Sequence, residues 1–251
     1  MPKENIPISN IVFILFVLMS FMSGFSGIIQ AAEPIDLLQA GSGEDGLPTG
    51  WQPLVFKKIE RHTEYKLSEE SGRIVIEARS NNAASGLTYP LNLDSRIYQS
   101  ISWCWKISRT IKKGDVTRKK GDDYAARIYV TFKFNPEDAS FWERTKFKTY
   151  KLLYGQYPPK GALNYVWANK MKKGDAAPNA YTDRAHMIAI ESGSEKVGQW
   201  VCEERNLYTD YRQYFGGTPP YITGIAVMTD TDNTGESTTA AYSNLVLKSK
   251  P

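Results

Sequence analysis

The sequence predicts an all-β fold, a two-layer antiparallel β-sandwich of jelly-roll type with one or two short helices. Three observations point there. Ile101, Trp103, Trp105 and Ile107 alternate with Ser102, Cys104 and Lys106, the period of a strand with one apolar face. In Tyr124–Phe134 the alternation is cleaner: Tyr124, Ala126, Ile128, Val130, Phe132 and Phe134 fall on one side, and Ala125, Arg127, Tyr129, Thr131 and Lys133 on the other. One side is expected in a core and the other in water. Shorter strand-like runs recur at 73–78, 86–93, 163–167, 186–191, 198–203, 222–228 and 240–247, with turn residues between them. No helix–strand alternation repeats, so the pattern is that of a sandwich.

Two segments break the period. Ser140-Phe-Trp-Glu143 has the form of a capping box, and a helix is expected from there to about Tyr154, ended by Gly155 and Tyr157-Pro-Pro159. Leu207, Tyr211, Tyr214 and Phe215 have helical spacing ahead of Gly216-Gly217 and Pro219-Pro220, which predicts a second short helix packed on the sandwich.

The chain has 251 residues, 41% hydrophobic and 23% charged, a balance that excludes disordered and collagen-like classes. Lys3, the apolar run Ile11–Met19 with its looser continuation to Met22, and Ala31-Ala32 have the layout of a secretory signal peptide. The expectation is a signal peptide over 1–31 and a single domain over 32–251 in a periplasmic or secreted protein. The alternative is an uncleaved anchor helix, which would make that segment the point of membrane contact. The Lys-rich loop 110–120 and the loop 170–179 are too short to divide the rest into domains. A formal net charge of +4 says little about nucleic acid, which exported proteins rarely meet, so no nucleic-acid partner is expected. Export permits one disulfide between Cys104 and Cys202; two buried thiols are the alternative.

A set of short signatures then occurs in order: Gly46-Leu-Pro-Thr-Gly-Trp51, Trp103-Cys-Trp105, Gly121-Asp-Asp-Tyr-Ala-Ala-Arg127, Tyr165-Val-Trp167, Gly198-Gln-Trp-Val-Cys-Glu-Glu-Arg205, Asp210-Tyr-Arg212 and Met228-Thr-Asp-Thr-Asp-Asn233. Together they resemble a bacterial family of exported proteins known as domain of unknown function 3047, over nearly all of the mature chain. The resemblance implies a β-sandwich similar to carbohydrate-binding modules. It transfers no catalytic residues.

Candidate ligand contacts are Arg127, Tyr129 and Thr131 on the polar side of the middle strand, with Tyr165 and Trp167, which share one parity and fit either a ligand platform or a core. Trp103 and Trp105, flanked by Ile on one face, are expected in the core. Asp122-Asp123 is expected as a solvated strand start with Arg127 neutralising one acid. Asp230, Asp232 and Thr234 alternate ahead of Gly235, as in the first half of a calcium loop, but position twelve is Ala241, which excludes an EF-hand. A sandwich-type structural calcium or a tight turn remains. With two histidines and no Gly-x-Ser-x-Gly elbow, catalysis has little to build on. Glu203 and Glu204 point to opposite faces of a strand, so a glycosidase pair needs a second acid from elsewhere. The expected function is non-catalytic binding of a glycan or other envelope component; the alternatives are a glycoside-active enzyme using a carboxylate pair and a scaffold for another envelope protein.

Overall fold

The computed structural model describes residues 32–38, 41–43, 46–154 and 157–250. The expected signal peptide, 1–31, and the expected helix stop at Gly155 lie outside the described residues. One sheet is built from β1 (Ile35–Asp36), β3 (Glu64–Glu70), β4 (Arg73–Asn81), β6 (Tyr98–Ile107), β11 (Val201–Asn206) and β13 (Ser237–Ser249), in the order β11-β6-β13-β4-β3 with β1 on β13. The other holds β2 (Gln52–Leu54), β5 (Ala84–Leu93), β7 (Arg127–Phe132), β8 (Gly161–Ala168), β9 (Ala176–Asn179), β10 (Thr182–Ser192) and β12 (Ile222–Asp230), in the order β2-β5-β12-β7-β8-β10-β9. The fold is thus an all-β sandwich. It departs from the antiparallel expectation at one pair: β10 runs parallel to β8, because β9 intervenes as the return strand and pairs antiparallel with β10.

Both strongly alternating segments place most of their apolar side between the sheets; Tyr124 and Phe134, expected on that side, join two other clusters. Ile101, Trp103, Trp105 and Ile107 of β6 and Ile128, Val130 and Phe132 of β7 are buried in one core cluster. The Trp103 ring stacks on Tyr165 at 5.3 Å between centroids, and Trp105 meets Trp167 at 5.8 Å. Buried aromatic rings of this size dominate the energetics of a core, and truncating one costs roughly 3–5 kcal/mol. The Nε1 atoms of Trp103 and Trp105 have no hydrogen-bond partner among the described residues, a polar cost that the ring packing offsets. Two tyrosines of the first sheet reach across to backbone of the second: Tyr65 Oη donates to the Ser85 carbonyl at 2.7 Å and Tyr242 Oη to the Met228 carbonyl at 2.7 Å.

β7 begins at Arg127, later than its alternation suggested, and Tyr124–Ala126 form its buried approach. β3 carries little alternation in sequence because Glu64, Lys66, Ser68 and Glu70 leave only Tyr65 and Leu67 to mark its apolar side, the composition of a guarded edge strand. The first helix forms at the expected capping box, and the second over the expected helical spacing with a cap from Asn206. In α1 (Phe141–Tyr154) the Ser140 amide donates to Glu143 Oε2 at 3.2 Å and the Glu143 amide to Ser140 Oγ at 3.3 Å. In α2 (Leu207–Phe215) Asn206 Oδ1 accepts from the Thr209 amide at 2.8 Å, and Leu207 and Tyr211 are buried.

Cys104 and Cys202 face each other across the β6–β11 pair and are joined by a disulfide, 98 residues apart in sequence. Closing so long a loop restricts the unfolded chain strongly. Replacing both cysteines by Ser is expected to lower the unfolding free energy by about 2–4 kcal/mol, measured by urea titration of the oxidised parent against the double variant; the parent in reductant should move toward the variant.

Candidate functional site

Three places on the sandwich carry concentrated polar chemistry. The first is at the N-terminal end of β7. Arg127 is 2% exposed, and the solvated arrangement expected around Asp122-Asp123 is not what forms: both acids are buried too. The guanidinium donates through Nε to Asp230 Oδ1 at 2.9 Å, through Nη2 to Asp230 Oδ2 and to the Asp122 carbonyl at 2.6 Å, and through Nη1 to Tyr129 Oη at 3.0 Å. It also lies over the Tyr124 ring, 4.4 Å from its centroid. A charge removed from water persists only with such partners. Asp122 is in turn held by Asn179 Nδ2 at 3.0 Å, and Asp123 accepts from the Thr234 amide at 2.7 Å and the Asn233 amide at 3.3 Å.

Burial pushes the Asp230 carboxyl well above the usual carboxylate range against the pull of Arg127, with Asp123 and Asp122 pushing the same way as burial. Burial likewise raises Asp232, and Asp123 adds to it. The expected metal trio is altered. Asp230 and Asp232 come together with Asp123, their carboxylate oxygens within 4.8 Å of one another, a group that could hold a metal ion. Thr234 instead donates its amide to Asp123, and its Oγ1 accepts from the Glu236 amide at 3.4 Å. Gly235, at φ 70°, supplies the left-handed residue of the turn.

Beyond Arg127, Tyr129 and Thr131 are half-buried on the outer face of the second sheet. Tyr129 stands opposite Ala226 and Asn164, and Thr131 opposite Gly224 and Ala162. Burial pushes the Tyr129 hydroxyl up to about 12, so at neutral pH it is a proton donor whose acceptor side is taken by Arg127. Asn164 Oδ1 is buried without a hydrogen-bond partner among the described residues. Tyr165 and Trp167 are not with them. Both lie in the inter-sheet core, Tyr165 Oη donating to Asp210 Oδ2 at 2.7 Å and Trp167 Nε1 to the Gly193 carbonyl at 3.0 Å. Their shared parity selected the core because the Trp103 and Trp105 rings occupy the facing layer.

The second place is a groove of about 610 Å³ over the outer face of the first sheet. Register makes its floor a set of rows. Lys66, Glu77, Ala241 and Lys106 form one row across β3, β4, β13 and β6, and Glu64, Arg79 and Thr239 form the next, about 7 Å away along the strands. Lys66 Nζ pairs with Glu77 Oε2 at 3.0 Å, and Lys106 Nζ with Glu70 Oε1 at 2.6 Å. Beside Lys106 lies the half-buried Trp200, its ring 5.0 Å from Lys106 Nζ and 4.7 Å from the Arg73 guanidinium. Hydrogen bonding from Lys106 holds Glu70 below the usual carboxylate range. Ala241 leaves a dip between Glu77 and Lys106. Sequence reasoning missed this groove; the signal was the charged parity of Glu64, Lys66, Ser68 and Glu70.

The third is a carboxylate pair. Glu191 and Glu203 both approach Lys173 Nζ, at 3.0 and 3.6 Å, and Lys196 reaches Glu191 Oε2 at 2.6 Å. Burial raises Glu203, and Glu191 adds to it. The Lys173 ammonium contacts both acids, where a glycosidase would admit a sugar. Glu204 points the other way, to Lys248 at 2.7 Å.

The Arg127 cluster yields a sign-specific prediction. Arg127→Leu leaves the buried Asp230 unpaired and should cost about 3–5 kcal/mol at neutral pH. The carboxyl then takes a proton to stay folded, so its folded-state pKa rises further above the unfolded value. The penalty is therefore smallest below the parent's own raised folded-state value and grows as pH rises through it. Chemical unfolding of parent and variant across that window checks it; a pH-independent deficit contradicts it.

No curated protein matches the chain. Among solved structures it is similar to the family 11 carbohydrate-binding module of cellulosomal cellulase Lic26A-Cel5E of Clostridium thermocellum, at 11% identity and TM-score 0.45, covering 88% of this chain and 97% of that one. It is also similar to a mutant of the family 29 carbohydrate-binding module CBM29-2, at 12% identity and TM-score 0.34, covering 86% and 92%, and to a CBM4 structure at 11% identity and TM-score 0.35, covering 82% and 99%. A family model described as protein of unknown function matches residues 49–246, from the turn before Trp51 into the last strand, and the chain belongs to that family, DUF3047.

Proposed function

We propose that the protein is an exported, non-catalytic binder of an extended glycan, and that the ligand lies in the groove over the first sheet. The observation that carries this reading is the groove floor: rows of Lys, Glu, Arg and Thr side chains on a sheet, with the Trp200 indole outside the floor beside Lys106. Charged and hydroxyl groups on such a floor hydrogen-bond sugar hydroxyls, and an indole stacks on the apolar face of a pyranose ring. The floor is built on strands, so its donors and acceptors are held in place before a ligand arrives. An oxidising compartment is supported by the Cys104–Cys202 disulfide.

A screen of the protein against envelope and cell-wall polysaccharides, followed by calorimetry, tests this. Trp200→Ala and Lys66→Ala should each weaken binding about tenfold or more, while Tyr129→Ala on the opposite sheet leaves it unchanged. Loss of binding in Tyr129→Ala alone would move the ligand to the other face, and no retention of any polysaccharide would defeat the reading.

On the same reading, Asp123, Asp230 and Asp232 hold a structural calcium ion, for which hard carboxylate oxygens are the suited ligands. Millimolar Ca²⁺ should then raise the melting temperature and EDTA reverse it, an effect absent in Asp232→Asn. An unchanged melting temperature would leave these acids as turn and ion-pair residues.

A further inference from the structure

Helix α1 presents a surface that neither the core nor the groove uses. Phe147 is buried against Phe134, with ring centroids 4.5 Å apart, and under the Arg184 guanidinium, 3.9 Å from its ring centre. At about 100° per residue, that anchor sends Trp142 and Thr145 to the far side of the helix with Phe141 beside them. Lys146 and Lys148 fall on the two flanks. Trp142 is 79% exposed and Phe141 67%, and their rings touch at 5.7 Å between centroids. The other indoles behave differently: Trp51, Trp103, Trp105 and Trp167 are buried and Trp200 is half-buried.

Cations flank that surface. Lys146 and Lys148, one on each side of it, are exposed, while Arg144 and Lys151 lie nearer the Phe147 side. The one acid of the helix, Glu143, is engaged by Arg184 Nη2 at 3.0 Å and by the Ser140 amide. The outward surface is thus an aromatic pair framed by cations that meet no acid among the described residues. Exposed Trp and Phe lose free energy in water and gain it at the boundary between headgroups and acyl chains. Lysines beside them can lay their stems along that boundary and extend their ammonium groups to phosphate. A helix of 14 residues lies on a bilayer, since crossing one takes about 20 apolar residues.

We propose that α1 is an interfacial docking helix for an anionic lipid surface: Phe141 and Trp142 enter the headgroup layer, and Lys146 and Lys148 pair with lipid phosphates. The site is independent of the glycan groove, and either can fail without the other.

The test uses the full chain with vesicles of phosphatidylglycerol or phosphatidylcholine containing brominated acyl chains, which quench an indole only at close range. With phosphatidylglycerol, emission should shift to the blue and be quenched, and Trp142→Phe should remove that quenching. Because Trp142 reports its own position, the signal is independent of any contact made by residues 1–31. Phe141→Ala and the double variant Lys146→Glu, Lys148→Glu should each raise the vesicle concentration needed for half-maximal quenching about tenfold or more, with unchanged melting temperature since these side chains are exposed. Quenching that persists in Trp142→Phe, quenching equal in phosphatidylcholine, or retention on an acidic polysaccharide without quenching by vesicles would each overturn the proposal.

Discussion

The spacing of the two sheets is set by four rings. Trp103 and Trp105 project from β6 and meet Tyr165 and Trp167 from β8, filling the roughly 10 Å gap that face-to-face sheets leave. Residues two apart on a strand share a face, so each strand contributes its pair only if its register is correct; a slip of one residue would turn both rings outward. The same constraint decides what the intervening residues do. Cys104 is forced to the outer face of the sheet, where Cys202 covers it. The Tyr165 hydroxyl reaches Asp210, which Arg205 Nε also holds at 2.9 Å, and so α2 is located relative to the core.

Polar groups inside the sandwich then fix its register from the other direction. Tyr65 and Tyr242 spend their hydroxyls on carbonyls of the opposite sheet. At the end of β7, Arg127 gathers Asp230 and Asp122, while Asn179 and the amides of residues 233 and 234 complete the acids. A buried ion pair is weak evidence for stability, because desolvation consumes most of what attraction supplies. Its effect here is geometric. Three segments distant in sequence, around 122, 179 and 233, close over one guanidinium, and a misplaced segment leaves a charge without a partner.

The two outer faces differ for a related reason. Val116, Tyr124 and Met171 from the long loops cover Val166, Met187 and Ala189, so part of the second sheet is apolar on both sides. The first sheet keeps a row of charges open to solvent. Open charged side chains therefore line the outer face of the first sheet, while loops cover part of the second.

Much of the fold was legible in the sequence because a period of two is a local property. The alternation through 101–107 and 127–132 marked core side chains that are buried as expected, and Ser140 with Glu143 marked a helix start. The same alternation could not tell how wet the polar side would be: Arg127 reads as a surface residue until the loops around 122, 179 and 233 close over it. Nor could parity say whether Tyr165 and Trp167 meet a ligand or a second sheet, since that depends on which strand lies opposite. The groove was hidden for the same reason, its rows being assembled from strands far apart in the chain, such as those carrying Lys66 and Ala241. Local spacing determined which side chains share a face; only the pairing and stacking of distant strands decided what each face touches, because contact between sheets is a property of the closed chain and not of any segment within it.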